Sequence, residues 1–213
     1  MSTESGRGRA TRIALIALLA VAVMVLAVVI AVLLPILTHT SAGGSGQQVP
    51  TDFVSSSQAT GDDGRVRELR VESADGAPAD LGAVAAGDTF AITGSGFDAG
   101  IGIYVSVCAI PDTPAQKPGP CLGGIPEGAE EGNAATEDLT SAWVTDDWAW
   151  RAFATHRYSV ASAGTFAVEL TVPAAASNGI DCRETRCAIT TRADHTASDD
   201  RAQDMLLPVR YAD

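Results

Sequence analysis

The chain has 213 residues and a formal net charge of −12, from 14 Lys and Arg against 26 Asp and Glu. With 46% hydrophobic and 19% charged residues it is composed as a globular chain, which excludes wholesale disorder. Once the three arginines and one glutamate before Thr38 are set aside, 11 basic residues face 25 acidic ones, and a net charge of −14 repels phosphate backbones and excludes non-specific nucleic-acid binding.

Residues Ile13 to Leu37 form an uncharged run of 25, all Ala, Val, Leu, Ile or Met except Pro35. The stretch up to Leu34 makes a helix of about 33 Å, enough to cross a hydrocarbon core of ~30 Å. Arg7, Arg9 and Arg12 stand before it, and no Lys or Arg follows until Arg65. The positive-inside bias therefore predicts a cytoplasmic N-terminus over 1–12 and an extracytoplasmic remainder. A cleaved signal peptide has an apolar core of only ~7–15 residues. An uncleaved single-pass signal anchor in the cell membrane is thus expected over 13–37, with the bilayer as its first partner; cleavage near Thr40-Ser41-Ala42 would give a secreted protein instead.

From Thr38 to Gly64 the composition changes: 14 of 27 residues are Gly, Ser or Thr, and no apolar period is visible. This stretch predicts a flexible linker. From Arg65 to the end a period of two takes over, in Val66–Val71, Asp88–Thr93, Gly102–Cys108, Phe166–Val172, Cys187–Thr191 and Met205–Tyr211. Gly, Pro and Asp clusters, among them Gly94-Ser95-Gly96, divide these runs. Short strands separated by turn residues predict an all-β sandwich or barrel over 65–213.

Four cysteines lie in the exported part: Cys108, Cys121, Cys182 and Cys187. An even count outside the membrane reads as two disulfides. Of the three pairings, the sequence-local one, Cys108–Cys121 with Cys182–Cys187, is preferred. Zinc fits poorly, because no CxxC pair occurs, and His156 and His195 are too few for a catalytic site. The acidic stretch Glu127–Asp138 lacks the DxDxDG ladder of a calcium loop and reads as a solvated acidic face. No metal and no cofactor is expected.

All three tryptophans fall within eight residues, Trp143, Trp148 and Trp150, with Asp146 and Asp147 between them. Trp beside carboxylates suits docking of a partner or stacking of a ligand. Trp148 and Trp150 point the same way if the segment is extended, and with Asp146 and Asp147 they are the candidate contact; Trp143 is assigned to packing. The densest polar group is Arg192, Asp194, His195 and Arg201. Neighbouring Asp and His on a chain point apart and seldom form the bond a catalytic triad needs. The group therefore reads as a structural polar loop between two strands, with Arg–carboxylate pairs holding it. No catalytic residue is assigned, and no enzyme activity is expected.

The run VSVCAIP around Cys108, preceded by TGSGFDAGIGIYV, resembles the second and third strands of the neocarzinostatin-like apoproteins, where a Gly-rich turn leads into a strand ending in the first cysteine. GIDCRETRCAITTRADH is similar to their second cysteine pair, with four residues between the thiols. The resemblance covers roughly 65–212 and implies a seven-stranded immunoglobulin-like barrel, the same two local disulfides and a crevice beside the barrel. The enediyne carriers of that family have an aromatic soon after the first cysteine, where this chain has Ala109-Ile110-Pro111. With SAWV and TRADHTASDDRAQD the chain looks closer to membrane-anchored or exported relatives than to those carriers.

These readings converge on a membrane-anchored, extracytoplasmic binding or interaction module of the bacterial cell envelope, an accessory to a membrane protein complex. Its contact surface is expected in Ala109–Arg157, which holds every tryptophan and half the prolines. The alternative, which the family resemblance implies, is a carrier that takes a small hydrophobic ligand into a crevice lined by Phe97, Tyr104 or the tryptophans.

Overall fold

The computed structural model describes residues 4–123 and 139–212, and the chain separates into two compact units, Met1–His39 and Thr40–Asp213. The acidic stretch Glu127–Asp138 lies outside the described residues. The first unit is a helix, α1 (Glu4–Thr38), whose segment Arg9–Thr38 is long and apolar enough to cross a membrane, with none of it buried in protein. Pro35 sits in its last turns, and Thr38 Oγ1 donates back to the Leu34 carbonyl at 2.7 Å.

The second unit is built of strands: β1 (Ser56–Thr60), β2 (Val66–Ser73), β3 (Thr89–Ser95), β4 (Ile103–Ala109), β5 (Ser141–Val144), β6 (Phe166–Thr171), β7 (Ala176–Ser177), β8 (Ile180–Asp181), β9 (Cys187–Ala193) and β10 (Met205–Val209). They form two four-stranded antiparallel sheets, ordered β1-β2-β3-β6 and β10-β9-β4-β5, and the small hairpin β7-β8. The all-β expectation holds. The count differs from the seven expected: the six runs with period two are all strands, and β1, β5, β7 and β8 add to them.

The period of two sets what the sheets bury. Leu69 and Val71 on β2, Phe90 and Ile92 on β3, and Phe166, Val168 and Leu170 on β6 enter one continuous core. Ile103, Val105 and Val107 on β4, Ile189 on β9, and Met205, Leu207 and Val209 on β10 meet them from the other sheet. Both disulfides, Cys108–Cys121 and Cys182–Cys187, are formed. The first ties the loop after β4 back to that strand, where Leu122 N–H donates to Val107 C=O at 2.8 Å.

The expected flexible linker over 38–64 is ordered structure for most of its length. Ser56–Thr60 pairs with Val66–Arg70 as the edge strand β1. Before it, Ala42 N–H donates to Asp200 Oδ2 at 2.8 Å and Gly44 N–H to Asp62 Oδ2 at 2.7 Å. The buried Gln47 amide accepts from Leu206 N–H (2.8 Å) and donates to Leu206 C=O (2.9 Å). The Gly, Ser and Thr content conceals this because what orders the segment is hydrogen bonding rather than apolar burial.

One inward position of β2 is charged. Arg67 has the parity of Leu69 and Val71 and is fully buried, whereas Val66 faces solvent. Its guanidinium grips Asp63 with two bonds of 2.9 and 2.5 Å, and Nε donates to Gln203 Oε1 at 2.9 Å. Gln203 in turn accepts from Asp98 N–H at 3.2 Å and donates to Asp98 C=O at 2.9 Å. The network links the 61–65 turn, the loop after β3 and the loop before β10 at one end of the domain.

Candidate functional site

Register brings three side chains together on the outer face of the second sheet. Tyr104 on β4 lies opposite Trp143 on β5 and Arg192 on β9, and its parity is opposite to that of the core residues Ile103 and Val105. The Tyr104 and Trp143 rings are 5.9 Å apart, and the Arg192 guanidinium carbon lies 5.9 Å from the Tyr104 centroid. Two loops leaving this end of the sheet complete a platform. Trp150, from the loop after β5, meets the His195 ring edge-on at 4.7 Å. His195, from the loop after β9, lies 5.3 Å from Trp143, and its Nδ1 is 3.0 Å from the Tyr104 hydroxyl. Tyr104, Trp143 and Trp150 are half-buried, while His195 is exposed.

Internal hydrogen bonds hold the polar groups of the platform. The buried Asp194 accepts from Trp143 Nε1 at 2.9 Å and from Thr196 N and Oγ1 at 2.8 and 2.6 Å. It lies so close to the backbone of Gly102 that a Cβ there would sit 2.0 Å from Asp194 Oδ2, so only glycine fits. Arg192 Nη1 donates to Pro118 C=O at 2.8 Å, which fastens the loop after β4 over the sheet. Partial burial, with the Asp194 charge behind it, raises the Tyr104 hydroxyl above its ordinary value, so the phenol stays protonated at neutral pH.

The structure divides the residues that the sequence groups together. Trp148 and Trp150 part company because the segment is not extended: Asp147 C=O accepts from Trp150 N (3.1 Å) and Arg151 N (2.8 Å), and Asp147 Oδ1 accepts from Ala149 N (2.8 Å). Trp150 joins the platform, whereas Trp148 stands out with 60% of its surface exposed. Asp146 and Asp147 are half-buried at the base of that turn. Trp143 shares the platform rather than the core, and Phe97 is fully buried against Phe166. Asp194 and His195 turn to different partners. Arg201 donates to Asp204 Oδ2 at 2.8 Å and to Ser198 C=O. Of the platform members only Trp150 belongs to the expected contact set; the sequence assigns Trp143 to packing, His195 to a polar loop, and Tyr104, whose parity in β4 marks it as outward, to a crevice lining. Among the described residues no group of three or more His, Cys, Asp or Glu could hold a metal ion.

Beneath the Pro118 loop is a tight charge cluster. Asp204 is buried and its Oδ1 has no partner among the described residues; the same holds for Arg192 Nε. Burial pushes the Asp204 carboxyl up to about 7, against the pull of Arg201, Lys117 and the Ala193 N–H. Burial, then the Arg192 and Arg201 charges, lowers Lys117. Between its ordinary value of 3.8 and about 7, folded Asp204 holds a proton that the unfolded chain releases. Its contribution to stability is therefore full near pH 3.8 and is lost as pH rises through about 7. The slope is at most about 1.4 kcal/mol per pH unit. Asp204→Asn is expected to flatten the dependence of the melting temperature on pH across that window; an unchanged slope refutes the assignment.

Hollows lined by described residues lie elsewhere on the domain. One of about 650 Å³ is bounded by Ala109, Pro120, Ile180, Asp181 and the β7-β8 turn. Another of about 210 Å³ lies between the Cys182–Cys187 loop, Phe53 and Arg210, and one of about 320 Å³ lies beside Arg70, Thr93 and Phe166. None is lined by Phe97, Tyr104 or a tryptophan.

Comparison with known proteins adds a faint likeness. The solved structure of macromomycin is similar at a TM-score of 0.37 and 16% identity, over 68% of this chain and 99% of that one. A likeness of that size assigns no function. No family model and no curated protein matches the chain.

Proposed function

We propose that this protein is a membrane-anchored, extracytoplasmic binding module of the cell envelope, an accessory to a membrane protein complex, and that it has no catalytic role. The observation that carries the reading is the platform of Tyr104, Trp143, Trp150 and His195. Four rings converge at one end of the domain, and the Tyr104 hydroxyl, His195 Nδ1 and the Trp143 indole N–H are already engaged internally. Half-buried aromatic surface flanked by an arginine is the composition of interface anchors. The apolar helix α1 and the arginines before it support the anchor and its N-in orientation. The two disulfides fit an oxidising compartment.

The second reading, a small-ligand carrier of neocarzinostatin type, is favoured by the open hollow of about 650 Å³ beside β7-β8, within the ~300–1,000 Å³ usual for ligand sites. One experiment separates the two. The full chain is purified in mild detergent beside Trp150→Ala. The interaction module is expected to retain a protein that the variant loses at least tenfold, with melting unchanged. A protein retained equally by both chains removes the platform from the reading, and a bound small molecule with no protein favours the carrier.

A further inference from the structure

The end of the domain that carries the platform is also where the polypeptide arrives from α1. Ile103, Val144 and Ala193 are level in the sheet there, and Met205 pairs with Thr191, two positions away. Ala42 is hydrogen-bonded to Asp200, and Gly44 bridges to Arg201, both in the loop between β9 and β10 at this end. Ala42 follows Thr38, the last residue of α1, by four positions, a length of chain that reaches at most about 14 Å. The loop after β5 leaves from the same end, and the Trp150–His195 contact ties it to the loop after β9. From that loop project Trp148, 60% exposed, and Phe153, 74% exposed, the most exposed large apolar side chains described in the domain. Arg151 lies between them and Arg157 follows, both exposed. Residues 148–160 hold these two arginines and no carboxylate, in a domain otherwise strongly acidic.

We propose that the Trp148–Phe153 turn seats in the interfacial layer of the bilayer that anchors the chain, so that the domain is moored to the membrane at two points. The inference rests on the anchor reading of α1. An indole, with one apolar and one wet side, favours the headgroup level, and the Phe153 ring adds apolar surface beside it. An arginine between them lays its stem on the hydrocarbon and its guanidinium among phosphates. Asp62, Asp98, Asp146 and Asp199 belong to loops at the same end and oppose an anionic surface, so ring burial rather than headgroup charge supplies the attraction. The contact is individually weak, but a short covalent tether makes it intramolecular and raises its occupancy.

The test uses the full chain reconstituted into phosphatidylcholine vesicles, with and without bromine on the acyl chains, and washed with alkaline carbonate. Bromolipid is expected to quench wild-type tryptophan emission, and Trp148→Ala to lose most of that quenching while its melting temperature stays unchanged. Phe153→Ser, which leaves all three tryptophans in place, is expected to reduce the quenching by making Trp148 shallower. A chain that stays with the vesicles after the wash but shows equal quenching in wild type and Trp148→Ala overturns the mooring and leaves the anchor standing. A chain stripped by carbonate overturns the anchor and the mooring together.

Discussion

Asp63→Ala is expected to destabilise the domain by about 3–5 kcal/mol, the usual effect of leaving a buried charge without its partner. Arg67 has no exposed surface, and two of its bonds go to Asp63, whose side chain is 14% exposed. Gln203 is neutral and meets Nε alone. Against a total stability of roughly 5–15 kcal/mol, such a loss takes a marginal domain close to unfolding at ambient temperature. Arg67→Met in the Asp63→Ala background is expected to recover much of it, because an apolar chain of similar length then fills the space beside Leu69. Thermal melts of the two variants in detergent check the pair: if Asp63→Ala melts like wild type, the ion pair contributes nothing. The Arg67 hydrogen bonds hold the Asp63 carboxyl below its ordinary 3.8. Its contribution is therefore present above 3.8 and fades only as pH falls below that value, outside the window in which Asp204 titrates.

Cys121→Ser is expected to cost roughly 3 kcal/mol, the chain-entropy value for a closed loop of about 14 residues. In a domain of this size that is a fall of about 6–12 °C in melting temperature. Opening the shorter Cys182–Cys187 loop should cost less, about 2 kcal/mol. The Cys108–Cys121 loop also carries Pro118, whose carbonyl holds Arg192 beside Tyr104. Loss of the disulfide is therefore expected to loosen the platform as well as the fold. Wild type under reducing conditions, with both loops open, should fall further than the variant, and a variant melting with wild type refutes the loop-closure account.

Six strands were legible because each places apolar side chains at alternate positions over at least five residues. β1 was not, since Ser56–Thr60 lies at a sheet edge and buries no large side chain. β5 has four residues, and β7 and β8 have two each, too short for any period to emerge. The platform was half legible. The tryptophan cluster is plain in the sequence, yet adjacency grouped Trp148 with Trp150. The true neighbours of Trp150, Trp143 apart, are His195 and, through it, Tyr104, and sheet register rather than proximity along the chain brings them together. Arg67 carried its own signal: with Leu69 and Val71 inward, period two allows no other face for it.

The amide of Gln47 engages both main-chain groups of Leu206, and β10 is the outermost strand of its sheet. One side chain thus presents to that strand the donor and acceptor that a neighbouring peptide unit would offer. Two residues further on, Pro208 removes an N–H from the same strand. An open margin of this kind invites a second copy to add itself, strand upon strand, into an aggregate. Here a glutamine and a proline blunt the template before it can be used.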